Sequence, residues 1–287
     1  MKKINLKSIW LLGLTIILSS YISGCSVKQP LLAVPNQVSL DDEVHLAQIS
    51  QELYSKDIDE RTRMQLYFQR GALYDSLGFR AFAQSDFSQL LAFNAEIPDV
   101  YNYLGIYAMQ EGDYDSAFMA FNTGLEIAPD YEFIYINRAI ALYRNDKYEL
   151  SLEDALKFYH YAPNEPIRIL WLYLIEEKID KNKAREQLLE RYNSMEDKSI
   201  WGSGIIAFYL GKISEDRLMI NLQQGVDTNL KLAQRLCETY FYLGKFYQSK
   251  GDNKRAEMLF KYALANNVYN YLEHQQALFE INQLNTK

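Results

Sequence analysis

The chain has 287 residues and is 48% hydrophobic, with 23 Tyr and 14 Phe, which is enough apolar material for a packed core and excludes an intrinsically disordered chain. Its formal charge is −7, and because residues 1–24 contain three lysines and no acid, the remainder carries −10. An acidic chain is a poor match for nucleic acid or for an anionic membrane surface, so we expect its partners to be proteins.

The first 24 residues have the pattern of a secretory signal peptide. Lys2, Lys3 and Lys7 precede an apolar run over 9–18, which is too short to span a bilayer. The next four residues, Ile-Ser-Gly-Cys over 22–25, resemble the lipobox of bacterial lipoproteins. The sequence therefore predicts a lipoprotein signal over 1–24.

Cys25 is the predicted site of lipid attachment. In lipoproteins the thiol takes a diacylglyceryl group, the signal is cleaved and the cysteine becomes the acylated first residue. Several acyl chains on one residue anchor a protein firmly, because each buried methylene contributes about 0.8 kcal/mol. The next residue is Ser26, where an Asp would favour the inner membrane, so the pattern resembles the outer-membrane class. The alternative is an ordinary signal peptide that ends near a cysteine by chance.

Residues 25–39 are predicted to be a lipidated tether, since this short segment includes Pro30 and Pro35. An N-terminal helical segment over 40–63 follows. Ser39, with Asp42 three residues later, has the pattern of a capping box at the start of that helix.

A repeat of 34 residues organises the centre of the chain. When the chain is aligned with itself at this shift, five kinds of position coincide. They are an aromatic position (Tyr67, Tyr101 and Tyr135), a small one (Gly71, Gly105 and Ala139), a second small one (Ala83, Ala117 and Ser151), a phenylalanine (Phe87 and Phe121) and a closing proline (Pro129 and Pro163). The pattern resembles the tetratricopeptide repeat (TPR), in which two antiparallel helices approach closely at the small residues. It predicts units over 64–97, 98–131 and 132–165, with Gly78 and Gly112 at helix ends that need a positive φ.

The same pattern returns near the C-terminus and predicts a unit over 237–270, followed by a capping helix over 271–287. The intervening residues 166–236 have room for two more units, so we expect two degenerate TPR-like helix pairs there, with Gly202, Gly204 and Gly211 at packing or helix-end positions. The predicted fold is an all-α, right-handed TPR-type solenoid of about fourteen helices, namely an N-terminal helix, six pairs and a C-terminal capping helix.

The first helix of each TPR unit lines the groove of such a solenoid, which makes its inward positions the candidate partner site. These positions include Phe68, Asn102, Ile106, Met109, Phe133, Ile136, Ile140 and Tyr143. Only Asn102 resembles the polar clamp that binds a C-terminal carboxylate, so a helix, an apolar strand or a neighbouring segment of the same chain is the expected guest. The same residues also fit ordinary packing between repeats, and the sequence leaves both interpretations open.

No residue pattern predicts catalysis, a metal site or a cofactor other than the lipid. His45, His160 and His274 lie in separate segments, and His274 and the adjacent Glu273 should point apart on a helix. Cys237 is the second of two cysteines, and we expect it to be buried as a small hydrophobic residue. We therefore expect a protein that is not an enzyme; a lipoprotein that hydrolyses peptidoglycan is the enzymatic alternative.

Several runs along the chain resemble the NlpI family of outer-membrane lipoproteins: LLAVP at 31–35, GALYDSLG at 71–78, SDFSQ at 85–89, YNYLGIY at 101–107 and ANNV at 265–268. The resemblance implies a homodimeric, periplasm-facing adaptor on the outer membrane. Such an adaptor binds peptidoglycan hydrolases and a periplasmic processing protease, and so regulates cell-wall growth and division. The alternative is a TPR lipoprotein subunit of a machine that assembles outer-membrane proteins or a pilus.

Overall fold

The computed structural model describes residues 30–285; residues 1–29, which include the predicted signal and Cys25, lie outside the described residues, as do 286 and 287. Between 30 and 285 the chain forms fourteen helices: α1 (Leu40–Leu53), α2 (Glu60–Ser76), α3 (Arg80–Phe93), α4 (Pro98–Glu111), α5 (Tyr114–Ile127), α6 (Glu132–Arg144), α7 (Tyr148–Tyr161), α8 (Pro166–Ile179), α9 (Lys181–Ser194), α10 (Ser203–Tyr209), α11 (Glu215–Leu222), α12 (Asn229–Ser249), α13 (Asn253–Leu264) and α14 (Leu272–Asn285). This confirms the predicted all-α architecture of one helix, six pairs and a final helix.

None of these fourteen helices combines the length and the apolar character that a membrane crossing requires.

Short polar residues begin most of the helices. At each such start a side-chain oxygen accepts a hydrogen bond from a backbone N–H in the first turn, which satisfies a donor that the helix itself leaves unpaired. Ser39 forms the predicted capping box with Asp42. The other caps of this kind are Asp59, Asp113, Glu165, Asp180, Ser214, Thr228 and Asp252.

Glycines allow the two helices of a unit to pack closely around a phenylalanine. A Cβ atom added at Gly71 would lie 2.7 Å from Cε1 of Phe87, and one added at Gly244 would lie 2.5 Å from Cε1 of Phe260. Unit three lacks both residues: Ala139 and Ala155 share a buried cluster with Leu172 and Ile175. The small residue and the ring sixteen positions later therefore change together in this unit.

Replacing Gly244 with alanine should destabilise the protein by about 1–3 kcal/mol, because the added methyl overpacks the buried ring of Phe260. Gly204→Ala is the matched control, since its Cβ would meet Leu218 at an ordinary 3.4 Å. That variant should keep or slightly raise the free energy of unfolding through better helix propensity. Urea unfolding of both variants measures the difference, and equal stabilities would contradict the packing explanation.

The middle pairs differ in regularity. α8 and α9 have 14 residues each, whereas α10 has 7 and α11 has 8. Gly202 (φ +91°) and Gly211 (φ +74°) adopt left-handed conformations at the two ends of α10, as Gly78 and Gly112 do after α2 and α4. Gly204 lies inside α10 against Leu218. The three glycines thus take the end and packing positions that were expected of them.

Helix α12 is longer than the repeat pattern predicts. It begins at Asn229, eight residues before the expected start at 237, because Thr228 caps it and Ala233 and Leu236 are buried. The extra two turns pack as part of the core. Cys237 lies in this helix and is buried, as expected, with no disulfide partner among residues 30–285. Burial raises the pKa of its thiol well above the usual range, which keeps the thiol protonated.

The last part of the predicted tether is held by the C-terminal repeat. Val34 N–H donates to Asn229 Oδ1 over 2.9 Å, and Asn229 Nδ2 donates back to the Val34 carbonyl over 2.8 Å. Two residues further on, Asn36 N–H donates to the carbonyl of Asn266 over 3.1 Å. Helix α1 then packs on α2 through Ile49, so this end of the segment is a structural part of the domain.

Candidate functional site: a cleft lined by the first helices

A cavity of about 440 Å³, which we call the cleft, lies among the first helices of successive units. Its walls come from α4, α6, α8 and α12, with the end of α2, one residue of α7 and the start of α14 completing it. Aromatic side chains and carboxylates line it together: Tyr103, Tyr131, Phe133, Phe158, Trp171 and Tyr271 with Asp75, Asp99, Glu238 and Glu273.

Four of the eight candidate groove residues line the cleft: Asn102, Ile106, Phe133 and Ile136. Phe133 is the accessible member, since 48% of its surface remains exposed. Ile136 retains 3% and contributes to the wall from within the core. The structure thus combines the two interpretations that the sequence left open, because α6 both packs between repeats and presents a ring to the cleft.

The other four candidates do not line the cleft. Met109 and Ile140 are each 1% exposed and belong to the packed interior. Phe68 lies with its ring centroid 6.2 Å from that of Phe87. Tyr143 has its hydroxyl 3.4 Å from Lys245 Nζ, on helix α12. These four residues lie outside the cleft, and a role for them in partner binding stays a prediction.

Asn102 is engaged within the protein. Its Oδ1 accepts a hydrogen bond of 2.9 Å from Nδ2 of Asn137, on the first helix of the next unit. Both side chains are buried. This hydrogen bond joins two repeats. It engages the side-chain oxygen of Asn102, the one residue that resembled a carboxylate clamp.

Two aspartates are held by tyrosines that follow them in the chain. Tyr107 OH donates to Asp75 Oδ1, and Tyr131 OH donates to Asp99 Oδ1, each over 2.7 Å and 32 residues along the chain. Burial raises the pKa of Asp75, against the lowering effect of the hydrogen bond from Tyr107. Burial and these two carboxylates raise the pKa of Tyr103 to about 12.

A second pair of carboxylates faces the aspartates across the cleft. Glu273 Oε1 accepts bonds from Trp171 Nε1 at 3.0 Å and from Tyr242 OH at 2.9 Å. Glu238 accepts a bond from the indole N–H of Trp201. Burial, together with repulsion from Glu273, raises the pKa of Glu238 to about 8, and burial also raises that of Glu273. The cleft therefore contains carboxyl groups whose negative form is poorly stabilised by the protein itself.

The start of the C-terminal helix contributes to this cleft and to an adjoining cavity. Glu273 lines the cleft, whereas His274 lines the adjoining cavity, so the two neighbours point into different spaces as predicted. Helix α14 is fixed by Glu280, which pairs with Lys245 at 2.7 Å, and by Phe279, whose ring lies 3.7 Å from the guanidinium carbon of Arg144. A later segment of the chain thus packs against helices of earlier units.

The sequence did not identify Glu238, Glu273 or Trp171 as cleft residues. Trp171 and Glu273 are 102 positions apart, and they meet because α14 returns to the first helices of earlier units. A polar site can be predicted from sequence when its residues recur at a regular spacing, and Trp171 and Glu273 show no such spacing. Within residues 30–285 no group of three or more His, Cys, Asp and Glu side chains is arranged to hold a metal ion.

No family profile matches the chain. Among solved structures, a tetratricopeptide repeat protein from Parabacteroides merdae is similar at a TM-score of 0.51 and 16% identity, covering 86% of this chain and 93% of that one. PilF of Pseudomonas aeruginosa has a TM-score of 0.43 at 16% identity, covering 76% of this chain and 97% of that one. A C-terminal part of a TPR protein from Cytophaga hutchinsonii has a TM-score of 0.42 at 15% identity, covering 84% and 81%.

The likeness to the Parabacteroides structure concerns the fold, and it agrees with the helix pairs and the glycine–phenylalanine contacts described above. The protein is therefore an all-α helical solenoid of the tetratricopeptide-repeat type.

Proposed function

We propose that the protein is an adaptor that binds partner proteins through the cleft. The observation that carries this proposal is the combination of an exposed aromatic residue, Phe133, with four carboxylates in one cavity. An aromatic wall provides contact area with little loss of conformational freedom, and carboxylates provide charge specificity.

The expected occupant is a basic segment with an apolar side chain beside it. Burial and mutual repulsion disfavour the charged forms of Glu238 and Glu273. The positive charge of an incoming lysine or arginine would therefore stabilise these two carboxylates. The aromatic rings would in turn attract that cation through their faces. The net charge of −10 outside the first 24 residues would attract such a partner over longer distances.

The resemblance to the NlpI family suggests which proteins these are. We propose peptidoglycan hydrolases and a periplasmic processing protease, held on the periplasmic side of the outer membrane by the lipid on Cys25. The activity proposed here is scaffolding, so that cell-wall growth and division are regulated by which hydrolase is bound and processed.

We also propose a homodimer, in line with the resemblance. Helix α1 is a candidate contact, because Ile49 is buried against α2 while Leu40 and Val44 remain exposed at 74% and 46%. Sedimentation of the mature chain should give a dimer that Leu40→Glu/Val44→Glu weakens without unfolding. A monomeric wild type would contradict this proposal, and an unchanged dimer would place the interface elsewhere.

Affinity capture from intact, cross-linked cell envelopes tests the adaptor function. The full-length protein should recover peptidoglycan hydrolases and a processing protease from the membrane fraction. Cys25→Ala is the control for anchoring: it should fold, lose incorporation of labelled fatty acid and move to the soluble periplasmic fraction. Recovery of outer-membrane-protein or pilus assembly components in place of hydrolases would overturn the proposed function.

A further inference from the structure

A second cavity, of about 290 Å³, adjoins the cleft at Asp75 and Gln275 and is lined by Arg144, whose buried guanidinium has no hydrogen-bond partner among residues 30–285. It is bounded by Arg80, Gln110, Arg144 and several residues of the segment that leads into and forms α14. The Nε, Nη1 and Nη2 atoms of Arg144 are all buried, and none has a hydrogen-bond partner in the described part of the chain. A buried charge in this state is unusual, because leaving such donors unpaired is costly.

Three partly buried arginines of this protein each hold a carboxylate. Arg70 binds Asp86, Arg138 binds Asp154 and Arg191 binds Glu176, each through two hydrogen bonds of 2.6–2.8 Å. These pairs join the two helices of a unit. The comparison indicates what Arg144 lacks, namely an anion within reach of its planar fork of donors.

The position of Arg144 is fixed by stacking. Its guanidinium carbon lies 3.7 Å from the centroid of the Phe279 ring, and a guanidinium held over a ring face directs its N–H groups sideways. Glu280 acts on Arg144 only through its charge, since its two oxygens accept bonds from Lys245 and Gln248 at 2.7 Å. Burial lowers the pKa of Arg144 to about 10, so the side chain is still a cation at neutral pH.

The cavity also contains acceptors that need a donor. Gln110 Oε1 and Gln275 Oε1 are buried and have no hydrogen-bond partner among residues 30–285. Asp75 lines the same cavity, and His274 adds no charge at neutral pH, because burial lowers its pKa to about 4. A ligand that satisfies these groups would therefore present both an anion and an N–H donor.

We propose that this cavity binds the α-carboxylate of an amino acid, with Arg144 holding the carboxylate and the two glutamine carbonyls accepting from the neighbouring amine or amide N–H. Such a group occurs in a free amino acid and at the C-terminus of a short peptide. The volume of about 290 Å³ lies just below the usual range for ligand sites, about 300–1,000 Å³, which favours a ligand of one or two residues. Leu278, Phe279 and Tyr269 line the wall and favour an apolar side chain.

This inference goes beyond the proposed adaptor function and uses a different cavity. Thermal unfolding of the mature chain with L-leucine, L-alanyl-L-leucine, L-leucinamide and isocaproate tests it. Leucine or the dipeptide should raise the melting temperature, and calorimetry should show binding at least tenfold weaker for leucinamide, which lacks the carboxylate, and for isocaproate, which lacks the amine. The stronger of leucine and the dipeptide identifies the source of the carboxylate.

Arg144→Gln should abolish the ligand-dependent rise. Arg168→Gln is the matched control, because Arg168 also lies over a phenylalanine ring, at 4.0 Å from Phe158, but pairs with Glu132. It should retain the rise. If Arg144→Gln does not fold, the comparison of leucine with leucinamide on the wild type decides the matter. The proposal is overturned if no amino acid or dipeptide shifts the wild type, if leucinamide acts as well as leucine, or if the folded Arg144→Gln variant responds fully.

Discussion

Replacing Ile136 with glutamate should reduce the free energy of unfolding by about 3–5 kcal/mol. Ile136 is 3% exposed, so the new carboxylate would replace packed apolar surface, and no Lys or Arg is among the residues that line the cleft. Asp99 and Glu273 line the same cleft and would oppose its charge. Urea unfolding followed by circular dichroism measures this loss.

Phe133→Glu is the matched control for that variant. It lies on the same helix, one turn earlier, and is 48% exposed, so its charge can remain in water. We expect a change in stability below about 1 kcal/mol for this variant. Two variants of similar stability would mean that Ile136 is more accessible than the structure indicates.

Replacing Glu238 with glutamine should stabilise the protein at pH 8 and have little effect near pH 4. The folded state raises the pKa of Glu238 from 4.5 to about 8, mainly through burial and then through Glu273. The folded protein therefore binds this proton more tightly than the unfolded chain does, and its stability falls as the pH rises from about 4.5 to about 8. Glutamine removes that dependence and still offers an oxygen to Trp201.

The expected gain at pH 8 is on the order of 3 kcal/mol, measured as the difference in urea unfolding between wild type and variant. Glu126→Gln, at an exposed position on α5, is the control and should change nothing across this range. A Glu238→Gln variant whose stability relative to the wild type is independent of pH would show that Glu238 is already charged and paired in the fold.

Most of the fold could be predicted because its determinants are local or periodic. The Gly71–Phe87 contact recurs as Gly244–Phe260, and a repeated contact leaves a repeated spacing in the sequence. Ser39 with Asp42 identifies a helix start through chemistry confined to four residues. The early start of α12 was missed because the residues before 237 do not match the repeat, even though they are buried.

Less of the site could be predicted, because its residues come from distant parts of the chain. The inward positions of the first helices included Phe133 and Asn102, which line the cleft. They also included Met109 and Ile140, which are buried in the interior. Trp171 and Glu273 meet only when α14 returns to the first helices. The unpaired state of Arg144 is likewise a property of its surroundings that no spacing in the sequence records.

The central claim is that the cleft binds the partner, and Phe133 tests it most directly. Envelope capture with Phe133→Ala should lose the hydrolase and protease recovered by the wild type. Phe82→Ala is the matched control: Phe82 is 60% exposed and, like Phe133, contacts two aromatic rings, but it lies on α3 outside the cleft. It should capture as the wild type does. Full capture by a stably folded Phe133→Ala variant, or equal loss in both variants, would contradict binding in the cleft.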